Sequence, residues 1–145
     1  ILLTPKNWEK LSNVHDAISF VKISIDAAKK ETYEKLRFGG NFDVLMKNLS
    51  FLCEIKRKRK ILTQAVFLIQ KENYKEMPDF VRLMKSFDFD MISFAKINNW
   101  DTFTDEEFKQ VAVYNRQHPD YRQFQNVLKD PMLKEPGVDS DIPIK

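Results

Sequence analysis

Polar residues cluster at the ends of three apolar runs in this sequence. Ser24 and Asp26 close the run 18–25, Gln70 and Asn73 follow 61–69, and Asn98, Asn99 and Asp101 follow 91–97. Most are amides or hydroxyls, which suit holding a polar small molecule by hydrogen bonds. They include no arrangement of nucleophile, base and orienting acid, so self-contained hydrolysis lacks support. The chain has only two histidines, His15 and His118, and a single cysteine, Cys53. That is too few for a histidine-rich metal site, a four-cysteine zinc site, an intramolecular disulfide or a self-contained iron–sulfur cluster. With three glycines in all, a glycine-rich phosphate loop is excluded as well.

The elements that must position these groups follow from composition and pattern. A chain of 145 residues, 43% apolar and 12% aromatic, can build one core but not two full domains. Its mean hydropathy is -0.46, and no uncharged apolar run approaches the roughly 18 residues of a membrane span. No membrane partner is expected, and the lone thiol points to a reducing, cytoplasmic setting. The net charge of +3 is concentrated in Lys56, Arg57, Lys58, Arg59 and Lys60. Without these five, 19 basic residues face 21 acidic ones, so a nucleic-acid surface is not expected. The chain begins at Ile1 with no basic or apolar leader, which reads as a piece of something longer.

The runs Ile18–Ile25 and Ile61–Ile69 have the length and apolar density of buried strands, the first largely buried on both sides, and Met91–Ile97 is a third strand. Between them, Phe42, Leu45, Met46, Leu49, Leu52 and Cys53 recur at helical spacing, as do Met77, Phe80, Val81, Met84 and Phe87. Cys53 is thereby a packing residue, and the basic run sits where cations complement a helix C-terminus. Thr4 with Pro5 opens a short first helix, and Glu31–Leu36 forms another that Gly39 and Gly40 interrupt. Thr104 with Glu107 predicts a capping box. The class is α/β, a parallel βαβαβ unit with right-handed crossovers, and the proline-rich end, 130–145, reads as an extended tail or linker.

In order along the chain, Ser24-Ile25-Asp26, then Thr32, Tyr33 and Arg37, then Gly39, Gly40 and Phe42 match a strand ending S-x-D, a helix with T-Y-x-x-x-R, and G-G-x-F. On these motifs, and on ILLTPKNWEKL, QKENYKEMPDFV and FAKINNWDTFTDEEF, the chain resembles radical S-adenosylmethionine (SAM) enzymes over most of 1–108. Within that superfamily it resembles the SPASM or twitch subset, whose extensions carry a further cysteine-rich module. The resemblance implies the C-terminal half, strands four to six, of a (βα)6 partial TIM barrel in 1–103, followed by a helical segment in 104–129 and the tail. It implies an oxidoreductase that reductively cleaves SAM. The CxxxCxxC motif that binds the 4Fe-4S cluster and the glycine-rich stretch after it are not in this sequence, so the chain alone is expected to be inactive. Its partner would be the N-terminal barrel half, and self-association is expected where that half is lacking.

The same resemblance implies that Ser24 and Arg37 contact the SAM carboxylate, that Asp26 holds the loop or the neighbouring ribose, and that Ile97 and Asn98 offer backbone groups to the adenine. Asn73 is a further cofactor-binding candidate. Its pattern N-x-x-E with Glu76 also reads as a helix cap, and Arg37 as a residue of a solvated helix face. Trp100 reads as core or as a stacking surface, and His15 and His118 as ordinary exposed residues. A small α/β binding or interaction module without catalysis is the alternative function.

Overall fold

The computed structural model describes residues 3–144. Strands β1 (Phe20–Ser24), β2 (Leu62–Ile69) and β3 (Met91–Lys96) pair in parallel and in chain order. They are joined through helices α2 (Lys30–Leu36) and α3 (Phe42–Lys58), then α4 (Met77–Ser86). A short α1 (Pro5–Glu9) precedes them, with Thr4 capping and Pro5 in its first turn. Helices α5 (Asp105–Val111) and α6 (Tyr121–Val127) follow, and the capping box of Thr104 and Glu107 opens α5.

The α/β class and the parallel βαβαβ order hold, but the burial differs from expectation. Along β2, Thr63, Ala65, Phe67 and Ile69 are buried on one face. Ala65, Phe67 and Ile69 meet Ile23, Ile92 and Phe94 of the neighbouring strands and the apolar stripes of α3 and α4 in a single core. At its centre the Phe67 ring packs 4.9 Å from Phe80 and 5.3 Å from Phe94, centre to centre. A fully buried side chain of this size contributes about 1.5–3 kcal/mol. The opposite face lies open along β1, where Lys22 and Ser24 are exposed, and Phe20 and Leu62 are 45% and 55% exposed. Dense β-branched and aromatic composition marked these short runs as strands; the middle of β2 is covered on both faces, with Val66 buried opposite Ala65 and Phe67, whereas β1 is covered on one face only.

The expected tail is instead part of the sheet. Val138–Ser140 forms β4, parallel to β3, and Leu133 and Ile142 on either side of it are buried in the core. Gly137 makes the docking feasible. Its φ is +84, and a Cβ there would fall 2.5 Å from the Asp90 carbonyl oxygen, while its own carbonyl accepts from Ile92 N at 2.8 Å. The outer edge of β3 is therefore covered, and that of β1 has no strand beside it among the described residues.

At the amino end of the sheet, Asp90 ties three segments together. Its Oδ2 accepts from Thr63 N and Thr63 Oγ1, both at 2.8 Å, and its Oδ1 from Lys56 Nζ at 2.9 Å. Arg59 pairs with Asp16 at 2.5 Å, so part of the basic run is consumed by internal ion pairs. No helix among the described residues is long and apolar enough to cross a membrane.

Two expectations follow from this packing. Burial raises the Asp90 carboxyl, but Lys56 and the two Thr63 donors outweigh it and hold the group below the usual carboxylate range. A lowered folded-state pKa stabilises above the unfolded value of about 4 and loses that contribution as pH falls through the folded value. Asp90→Ala should therefore cost about 2 kcal/mol at pH 7, and the gap from the parent should narrow at pH 3, as read by urea unfolding. The open face and the free β1 edge should make the chain self-associate and bind a hydrophobic-surface dye. A strict monomer in sedimentation that leaves the dye dark would contradict this.

Candidate functional site

The carboxyl end of β1 is organised by Asp26, buried at 4% exposure and in the left-handed region with φ +67. Its Oδ1 accepts from Leu68 N at 2.7 Å, and its Oδ2 receives Arg37 Nη2 in an ion pair. Burial raises the Asp26 carboxyl above its ordinary range, against the Leu68 N–H and the Arg37 charge, which pull it down. Asp26 thus ties the turn after β1 to the end of β2 and to Arg37. Arg37 belongs to an ion pair rather than to an idle solvated face. Its side chain is 37% exposed, and its Nε is buried without a hydrogen-bond partner among the described residues.

Helix α2 carries Arg37 at its C-terminal boundary, and its other end is held from a distance. Glu76 Oε2 accepts from Ala28 N at 2.8 Å and Lys29 N at 3.1 Å, and Oε1 from Thr32 Oγ1 at 2.5 Å. The carboxylate so caps the start of α2, where backbone N–H groups lack partners. Past the helix, Gly40 lets the chain turn tightly against it. A Cβ there would lie 2.7 Å from the Arg37 carbonyl oxygen and 2.9 Å from Tyr33 Cε1.

Asn73 is not the cap expected of it. Its side chain makes no cap hydrogen bond. It is fully buried, with Nδ2 donating to the carbonyls of Asp26 at 2.9 Å and Leu68 at 2.8 Å, and Oδ1 accepting from Gln70 N at 2.9 Å. Glu76 likewise reaches across to α2 rather than back to residue 73. The N-x-x-E spacing is the same for a local cap and for two long-range clamps, so spacing could not separate them.

The remaining expected residues are spread along the same end of the sheet. Ser24 is the last residue of β1 and lies exposed on the open face. Ile97 accepts at its carbonyl from the Tyr114 hydroxyl, and Asn98 is exposed. Asn99 pins the next turn, accepting from Phe103 N at 3.1 Å and donating to Phe103 O at 2.9 Å. Trp100 is 81% exposed on this turn, which excludes the core reading.

Both histidines depart from expectation. His15 stacks on Trp8 at 4.1 Å with Nε2 against the Trp8 carbonyl at 2.7 Å. His118 is buried, its Nδ1 accepting from Asp120 N at 3.0 Å and its Nε2 lying 2.8 Å from the Gln110 carbonyl. A single polar residue next to a proline carries no sequence signal for such a role. Among the described residues no cluster of histidine, cysteine and acidic groups could hold a metal ion. The sequence matches no family model and no curated protein.

The clamp at Asn73 can be told from a cap by substitution. Aspartate caps helices as well as asparagine does, but it cannot donate to two carbonyls. Asn73→Asp should therefore destabilise at least as much as Asn73→Ala, by about 2 kcal/mol or more, in chemical denaturation.

Proposed function

We propose that this chain is the second half of a radical SAM partial barrel, a fragment of an iron–sulfur oxidoreductase of the reducing cytoplasm. The observation that carries the reading is Arg37, with one guanidinium nitrogen anchored on Asp26 and the side chain still partly open to solvent. Such a fork can receive a carboxylate while Asp26 fixes its orientation. Ser24, exposed at the carboxyl end of the neighbouring strand, would add a short hydrogen bond. The consecutive parallel order of β1, β2 and β3 and the open face opposite the helices support a barrel wall whose interior side awaits closure.

In this reading the methionyl carboxylate of SAM lies at Arg37 and Ser24, and the ribose and adenine extend along the strand ends toward Asn73, Ile97 and Asn98. Asn73 acts there through Asp26 and Leu68 rather than on the ligand. A 4Fe-4S cluster would supply the electron for reductive cleavage. Its ligands would come from the N-terminal barrel half, because this chain has one cysteine. The chain's own part is to bind and orient SAM.

The second reading, a binding module without catalysis, is favoured by Asp26 itself, which already neutralises Arg37. Titration of SAM onto the chain, followed by amide NMR shifts, separates the two. SAM should shift the signals of Ser24, Asp26 and Arg37. Arg37→Lys, which keeps the charge and loses the fork, should weaken binding roughly tenfold, and Ser24→Ala less. Curves for both variants that overlay the parent would sink the assignment.

A further inference from the structure

We propose that the cleft at the carboxyl ends of β3 and β4 binds a small aromatic anion, a carboxylate or phosphoryl group carried on a single flat ring. The cleft encloses about 330 Å³ between Lys96, Tyr114, Arg116, Tyr121, Phe124 and Ile142. These residues come from β3, the segment joining α5 to α6, α6 itself, and the chain just past β4. Ligands of parallel sheets gather at this end of the strands. The volume is at the small end of ligand pockets, which run from about 300 to 1,000 Å³.

The chemistry of the walls selects the charge. Neither Lys96 nor Arg116 has a carboxylate within ion-pair distance among the described residues. Asp141 spends both oxygens on the Lys96 backbone N–H, at 3.1 and 2.9 Å. It thereby secures the strand end without pairing the ammonium. Lys96 Nζ instead sits 5.9 Å from the centre of the Tyr114 ring. Two cations without a carboxylate partner among the described residues, at the wall of one cleft, favour an anion, and the Arg116 fork favours a planar or tetrahedral oxyanion.

The apolar part selects the body of the ligand. Phe124 and Ile142 are buried and form an apolar floor. The Tyr114 hydroxyl is committed to the Ile97 carbonyl, which leaves its ring as a wall, while the Tyr121 hydroxyl has no partner among the described residues and can donate to the ligand. Lys96 projects on the helix-covered side of the sheet with Ile92 and Phe94, opposite the open face that carries Ser24. This site therefore stands apart from Arg37 and does not rest on the SAM reading.

Amide NMR titration of the full chain with benzoate, phenyl phosphate and the neutral benzyl alcohol tests the proposal. Saturable shifts at Lys96, Arg116, Tyr121 and Ile142 are expected with the two anions and not with the alcohol. The tighter of the two anions identifies the carboxylate or the phosphoryl group as the preferred head. Arg116→Gln and Lys96→Met should each weaken binding roughly tenfold, and Arg116→Lys by less. Arg116 is exposed, so its variants should keep the parent's unfolding midpoint. Absence of saturable shifts at millimolar anion, equal binding of benzyl alcohol, or unchanged affinity in Arg116→Gln would overturn it.

Discussion

A buried carboxylate is the constraint around which the rest of this fold is arranged. Asp26 sits at the point where β1 ends and the chain must turn into α2, in a left-handed conformation that L-residues other than glycine and asparagine or aspartate seldom adopt. A charge removed from water there is costly unless it is hydrogen-bonded and paired. Both conditions are met by distant segments: Leu68 N from the end of β2, and Arg37 from the far end of α2. Asn73 then takes the Asp26 carbonyl. Moving any of these partners exposes a cost at Asp26, so the loop, the helix and two strand ends are held in one geometry.

The same device recurs along the sheet. Glu76 accepts from the first N–H groups of the α2 region, Asp90 from Thr63 N, and Asp141 from Lys96 N. In each case a side-chain carboxylate from one segment bonds a backbone N–H from another, across 27 to 48 positions of sequence. Parallel strands cannot be joined by tight turns, so their alignment needs such long-range ties in addition to the ladder. Apolar contact supplies most of the stabilisation, but it is non-directional. The carboxylates fix register and direction where packing alone would allow sliding.

What was legible in the sequence follows from this division. Helices α3 and α4 and the three main strands declare themselves by apolar periodicity and density, because those patterns report burial directly. The capping box at Thr104 and Glu107 was legible because both partners lie within one turn. Asn73, Glu76 and His118 were not, since their partners lie far along the chain or on backbone groups that leave no trace in side-chain identity. The strand at 138–140 was missed for a related reason. Its three residues are too few to show a period, and the proline and glycine around it read as linker, although Gly137 is the residue that allows β4 to approach Asp90.

The distribution of satisfied and unsatisfied polar groups separates scaffold from surface chemistry at the carboxyl end of the sheet. Asn73 uses both its donor and acceptor groups, and Glu76 uses both oxygens, so neither has a group left for a ligand; their work is to hold the loop. Arg37 is intermediate, with one nitrogen committed to Asp26, another buried without a partner among the described residues, and an exposed remainder. Lys96 and Arg116 stand at the other extreme, lining a cleft with no ion-pair partner among the described residues. Saturation thus rises toward the β1 end and falls toward the β3 and β4 end. A ligand at Arg37 must share a cation with Asp26 and gains orientation from it, whereas one at Arg116 meets undivided charge and must find its orientation in the Tyr114 and Phe124 rings.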